Sequence, residues 1–198
     1  MKERKAQVAR KTGETDITVK LNLDGTGTAK IAVSVGMLAH MLESLSRHSA
    51  IDIDLKAAGD TEVDQHHLVE DIGIVLGDAV RKALGDKLGI NRAGFFVFPM
   101  DEALGVVALD IGGRAQLQYE AKFKRRFCGE LDTDTLPDLF GGFAQGLMAN
   151  VAVRAITGRS DHHKLEALFK AFAKALKLAV SRDARLKEYL PSTKGAIR

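Results

Sequence analysis

The chain has 198 residues, 45% hydrophobic and 28% charged, with a formal net charge of +3, enough for one large domain or two small packed ones. No run of about 18 apolar residues is present, which excludes a membrane-spanning helix, and residues 1–10 are charged with no apolar stretch, so no signal peptide is visible. A single cysteine, Cys128, favours a reducing cytoplasm, and the modest basic excess, mixed along the chain apart from the cluster Lys122, Lys124, Arg125 and Arg126, suits a small anion as well as a polyanion.

Residues 17–35 alternate apolar and polar, through Ile17, Val19, Leu21 and Leu23 and then Ala29, Ile31, Val33 and Val35. With Asp24, Gly25, Thr26 and Gly27 between the two runs, this pattern predicts a hairpin. A helix is expected over 37–48, a strand over 51–56 and a long helix over 66–84 that ends at Gly85. Residues 94–98 and 103–111 read as strands, and Gly112 and Gly113 predict a second hairpin turn into 115–121. A helix over 136–147, a strand over 150–155 and a long helix over 161–180 follow, and residues 190–198 read as a loop.

Hairpin, helix, strand and helix thus occur twice. The motif His66-His67-x-x-Glu70 returns as His162-His163-x-x-Glu166 at an offset of 96 residues, and Ala79 and Ala83 match Ala175 and Ala179 at that offset. Fixed-period similarity marks a duplication. The expected fold is α+β: two similar halves, each a sheet with two helices, packed with the helices between the sheets. The halves span about 9–92 and 93–190, followed by a C-terminal loop, and form one unit without a flexible linker.

The duplicated motif carries the chemistry. Adjacent histidines on a helix project about 100° apart, so each can serve a different ion. Glu70 and Glu166 lie three and four residues after their histidines and share a helix face with them. Four imidazoles and two carboxylates suit a borderline divalent ion such as Mn²⁺, Fe²⁺ or Zn²⁺. One such motif is commonly a surface cluster; two at matching places favour metal. The spacing is not that of the HExxH zinc proteases. His40 and His48, the remaining histidines, lie on the helix before the first motif. Ser192 and Lys194 on the tail loop, with Arg92, Arg114 and Lys170, are candidate anion ligands if they converge. Glu14, Asp101 and Glu102 are carboxylates outside the helices, each either an exposed charge or turn former, or a proton carrier.

Five segments now become recognisable: residues 10–17 (RKTGETDI), 59–71 (GDTEVDQHHLVED), 99–104 (PMDEAL), 161–171 (DHHKLEALFKA) and 191–195 (PSTKG). In this order and spacing the chain resembles the imidazoleglycerol-phosphate dehydratases of histidine biosynthesis over about residues 9–196. The resemblance implies a ribosomal S5 domain 2-like duplication and a hydro-lyase that converts imidazole glycerol phosphate to imidazole acetol phosphate. It implies two Mn²⁺ ions per site, with ligands from neighbouring subunits of a twenty-four-subunit homo-oligomer that is a trimer without metal. The implied metal ligands are His40, His66, His67, Glu70, His162, His163 and Glu166. The phosphate falls to Arg92, Arg114, Lys170, Ser192 and Lys194, and the imidazole end of the substrate to Glu14, with Asp101 near it. On that resemblance, metal coordination would favour the imidazolate of the substrate, electrons from the ring would expel the hydroxyl through a diazafulvene-like intermediate, and Glu166 or Glu14 would move the carbon-bound proton, with Glu166 preferred. Neither a nucleic acid nor a membrane is an expected partner, and the length leaves no room for the phosphatase domain that some members carry.

The chain departs from the family pattern at four positions. Ala39 replaces an aspartate beside His40, Ser44 a phosphate-binding glutamine, Ala152 a histidine that supplies a further ligand, and Ser160 an asparagine before the second motif. Ala152 is expected to weaken the second metal site, with water or His48 as substitute. The alternative reading is a relative that keeps the metal-assembled scaffold with lost or altered catalysis.

Overall fold

The computed structural model describes residues 3–197; Met1, Lys2 and Arg198, the ends of the expected unit, lie outside the described residues. Strands β1 (Lys5–Lys11), β2 (Thr15–Asn22) and β3 (Ala29–Ala32) lead to helix α1 (Gly36–Ser49), strand β4 (Asp52–Gly59) and helix α2 (His66–Leu84). The second half brings β5 (Ala93–Met100), β6 (Ala103–Asp110), β7 (Gln116–Glu120), the short pair β8 (Phe127–Cys128) and β9 (Leu131–Asp132), helix α3 (Leu136–Leu147), β10 (Asn150–Thr157) and helix α4 (Asp161–Val180).

The first sheet has the order β1-β2-β4-β3 and the second β5-β6-β10-β7. In each, the third strand of its half runs parallel to the last, β3 beside β4 and β7 beside β10, and the other pairings are antiparallel. The halves therefore share one topology. Strand alternation gives each sheet one apolar face: Ile17, Val19 and Leu21 in β2 and Val107 and Leu109 in β6 are buried, while their neighbours are half-buried or exposed. Helices cover these faces. α2 lies on β1 and β2, α4 lies on β5 and β6, and across the middle α1 packs on α4 and α2 on α3. Helices between sheets, as expected, bury one core that runs from Val8 to Val180.

Neither predicted hairpin forms. Residues 17–35 alternate as strands should, but β2 and β3 both pair with β4, from opposite sides. The intervening loop crosses the start of β4, where the Asp52 carboxylate accepts from the Thr26 and Thr28 amides, each at 2.9 Å. Likewise β7 does not fold back on β6; Gly112 and Gly113 carry the chain over to the far side of β10. In the second four-stranded sheet the hairpin instead joins β5 to β6 through Asp101 and Glu102, with Asp101 at φ 49°. Strand β1 was not expected either: an edge strand with Lys5, Arg10 and Lys11 among its seven residues has no apolar alternation to read. No helix among the described residues is long and apolar enough to cross a membrane.

Candidate functional site

Helix α2 begins at the first motif. Its cap residue Gln65 uses its amide elsewhere, donating to the Glu130 carbonyl at 2.7 Å and accepting from the Asp132 amide at 3.0 Å, which ties the helix start to the β8–β9 pair. The two adjacent imidazoles sit 5.9 Å apart at 72° and find different neighbours. His66 Nδ1 lies 3.1 Å from Asp138 Oδ2 on α3, and its Nε2 is 3.9 Å from Glu70. His67 Nδ1 lies 3.1 Å from Asp60 at the end of β4, and its Nε2 is 3.8 Å from Glu14, just ahead of β2. The bond to Asp60, and next the charge of Glu14, raise the His67 pKa above its ordinary 6.5.

Helix α4 begins at the second motif with a fuller cap. Ser160 Oγ accepts from the His163 amide, and the buried Asp161 accepts from the Lys124 and Arg125 amides and from Lys164 at 2.7 Å. His163 Nδ1 lies 2.7 Å from Glu102, and its Nε2 is 3.5 Å from Asp101. Glu102 also accepts from the Arg159 and Ser160 amides, so the β5–β6 turn holds both the histidine and the helix start. The bond from His163 draws the Glu102 pKa down to about 2, and Glu102 raises that of His163.

His162 is arranged differently. Its Nε2 is 2.9 Å from Glu166 Oε1, and the His40 ring, brought by α1, stacks on it at 6.5 Å and 24° with Nε2 3.8 Å from the same oxygen. The other Glu166 oxygen is bound by the Lys170 ammonium, which also touches Met100 Sδ at 3.2 Å. Burial alone would push the Glu166 carboxyl up, but the bonds from Lys170 and His162 outweigh it and leave the carboxyl below its usual range.

Three of the four motif imidazoles thus have a carboxylate at Nδ1 and turn Nε2 away from it. An acceptor at one ring nitrogen fixes the proton there and leaves the other nitrogen's lone pair bare, the usual arrangement behind a metal-bound histidine. The donors suit a borderline divalent ion. Each motif is still an incomplete set, because among the described residues no three His, Cys, Asp or Glu side chains of this chain gather as ligands.

Four of the five anion candidates do meet. Arg92, Arg114, Ser192 and Lys194 line one cavity of about 440 Å³ together with Gly112 and Gly113; Lys170 is not among its lining residues. Arg92 has the left-handed φ of 68°, held by its amide bond to the Ala179 carbonyl and by the Ile111 amide on its own carbonyl. Its guanidinium forks onto Asp110 at 2.6 and 2.9 Å and donates to the Pro191 carbonyl at 2.8 Å, fastening the tail loop beside the cavity.

The four unusual positions have separate outcomes. Ser160 supplies the cap that an asparagine would supply. Ala152 lines a cavity on the outer face of the second sheet beside Phe95, whereas His48 packs edge-on against Phe98 on the inner side, so His48 cannot replace a ligand at Ala152 within one chain. The Ser44 hydroxyl is buried without a hydrogen-bond partner. His40, next to Ala39, has a side chain 53% exposed. Of the Nδ1 partners, sequence reasoning misses Asp60 and Asp138 and offers Glu102 only as a turn residue or proton carrier. Glu102 had a readable signal in its turn beside Asp101; Asp60 and Asp138 meet their histidines only through the fold.

The family model for imidazoleglycerol-phosphate dehydratase matches residues 33–176. An imidazoleglycerol-phosphate dehydratase from Koribacter versatilis is 50% identical over 194 residues, covering 98% of this chain and 100% of that protein. Another from Hahella chejuensis is 47% identical over 197 residues, covering 100% of each. The crystal structure of the Staphylococcus aureus dehydratase superposes with a TM-score of 0.81 at 32% identity, covering 90% of this chain and 99% of that one. The Pyrococcus furiosus structure gives 0.78 at 32% identity, covering 96% and 99%.

Proposed function

Because the chain belongs to the imidazoleglycerol-phosphate dehydratase family, and is a hydro-lyase of histidine biosynthesis, we propose that it acts as a Mn²⁺-dependent homo-oligomer in which neighbouring subunits complete each other's metal sites. The observation that carries this reading is the pair of half-built sites. Imidazoles are pre-turned by Asp138, Asp60 and Glu102, yet among the described residues no three such side chains of one chain gather as ligands. His66, His67, Glu70, His162, His163, Glu166 and His40 would hold the ions. Bound there, a divalent ion lowers the proton affinity of the substrate imidazole. The buried free thiol of Cys128 supports a cytoplasmic setting.

The chain's own groups divide the remaining work. Arg92, Arg114, Ser192 and Lys194 receive the phosphate, since several charged donors facing one cavity hold an anion with strong hydrogen bonds. Lys170, expected on the phosphate, here serves Glu166. Loss of water needs a base for the carbon-bound proton and an acid for the departing hydroxyl, and the resulting enol becomes the ketone. Both oxygens of Glu166, the base that the family resemblance favours, are engaged and its proton affinity is depressed, which suits a ligand. Glu14, with a side chain 56% exposed and one oxygen 3.8 Å from His67, is the carboxylate left to carry the proton.

Two variants separate these roles. Glu14→Gln should keep its bound Mn²⁺ and lose turnover of imidazole glycerol phosphate by about 10²–10⁴-fold. Glu166→Gln should lose bound Mn²⁺, read by elemental analysis of the purified protein. Unimpaired turnover in Glu14→Gln would remove it from the proton path. Wild-type protein that turns over without metal after chelation sinks the metal reading, and wild-type protein that binds Mn²⁺ without turnover supports the scaffold alternative.

A further inference from the structure

Helices α1 and α3 hold equivalent places in the two halves, and one position on them has taken different chemistry. His40 stands ten residues ahead of Ala50, the left-handed residue that closes α1; Asp138 stands ten ahead of Met148, which closes α3 in the same way. Since α1 packs on α4 and α3 on α2, each helix delivers this position to the motif of the opposite half. His40 arrives beside His162 with its own Nε2 directed at Glu166 Oε1. Asp138 arrives at His66 and meets its Nδ1 at 3.1 Å.

We propose that Asp138 is the positioning residue of the first metal half-site: it holds the proton of His66 on Nδ1 and so bares Nε2 to the ion, while its counterpart His40 enters the other half-site as a ligand. This rests on the metal reading above. A carboxylate only accepts, so it dictates which ring nitrogen is protonated. The placement of Asp138 is fixed by backbone rather than by a long side chain. Gly73 and Gly77 of α2 face the Leu139 and Phe143 carbonyls of α3, and Gly142 and Gly146 of α3 face the Glu70 and Ile74 carbonyls of α2. A Cβ at any of the four would overlap the facing carbonyl, so the two helices touch along their main chains and the short aspartate reaches the ring. An acid in the first turn of α3 also suits that helix's own dipole, a role that needs no histidine.

The test uses full-length protein stripped of metal by chelation and titrated with Mn²⁺ by calorimetry, for wild type, Asp138→Asn and Asp138→Glu, alongside the thermal midpoint of each metal-free protein. Asparagine keeps the shape but can donate as well as accept, so it no longer dictates the tautomer. The expected result is Mn²⁺ affinity weakened about 10–100-fold in Asp138→Asn, recovered in large part by Asp138→Glu, with metal-free midpoints unchanged. The proposal is overturned if Asp138→Asn binds Mn²⁺ within about twofold of wild type, well short of the loss expected for such a partner. It is equally overturned if the metal-free midpoint falls in step with affinity, which marks a purely structural acid. Wild-type protein that takes up no Mn²⁺ would overturn the metal reading itself, a result distinct from either of these.

Discussion

At the head of α2 the side chains of His66 and Glu70 are 45% and 42% exposed and stand 3.9 Å apart. At the head of α4 those of His162 and Glu166 are 42% and 12% exposed and 2.9 Å apart. The motif is the same; its surroundings are not. Four residues after Glu166 comes Lys170, whose ammonium holds the carboxylate, while four after Glu70 comes the apolar Ile74. The neighbouring helix gives the second copy an imidazole, His40, and the first an acid, Asp138. The two copies share their donor atoms, and the residues around them set how far each copy is assembled.

The contrast can be broken most forcefully at the helix starts. Asp161→Ala takes the carboxylate from the buried Lys164 ammonium, leaving it the Lys122 carbonyl, and frees the Lys124 and Arg125 amides; it should cost about 3–5 kcal/mol in urea unfolding. Gln65→Ala, the matching position 96 residues earlier, removes one exposed and one partly buried hydrogen bond and should cost about 1–2 kcal/mol. Equal losses would show that the two starts are equally braced. A smaller effect separates the carboxylates themselves: without metal, Glu166→Gln should cost about 1–3 kcal/mol and Glu70→Gln no more than about 0.5. If Glu70→Gln proved the more harmful, the first set would be the one held in advance.

The smallest effect sharpens the picture by its pH dependence. The His163 pKa lies above its ordinary 6.5, so its share of the pair with Glu102 is complete below 6.5 and fades as pH rises through the raised value. Glu102 is lowered from 4.5 to about 2, so its share is present above 4.5 and is lost as pH falls towards 2. The difference in thermal midpoint between metal-free wild type and Glu102→Gln should therefore be widest between pH 4.5 and 6.5. A profile that is flat over that range would mean the pair is not formed in solution.

What the sequence made legible was local. The predicted helix at 37–48 is α1 with one more residue at each end, and those at 66–84, 136–147 and 161–180 are α2, α3 and α4, because helix periodicity and their Gly85 or motif boundaries lie within the segments. Strand pairing was not legible: nothing in 17–35 says that β4, some twenty residues on, will separate β2 from β3. The site divides in the same way. The motif histidines and glutamates announce themselves by spacing, and so does the i,i+4 pair of Glu166 with Lys170, although the resemblance gives Lys170 to the phosphate. Asp138 is 72 residues from His66 and could be found only once α3 lay against α2. Arg92, Arg114, Ser192 and Lys194 were named through resemblance; that they share a cavity is a fact of the fold.

Arg92 is fastened at both ends of its guanidinium. Three of its five N–H donors are committed, two to Asp110 and one to the Pro191 carbonyl, which leaves two for an arriving anion. The tail that carries Ser192 and Lys194 is therefore moored before any ligand comes, and binding is not diluted by the entropy of capturing a loose strand of chain. In the proposed phosphate site, recognition and mooring would share one guanidinium, coupling the grip on an anion to the order of the tail.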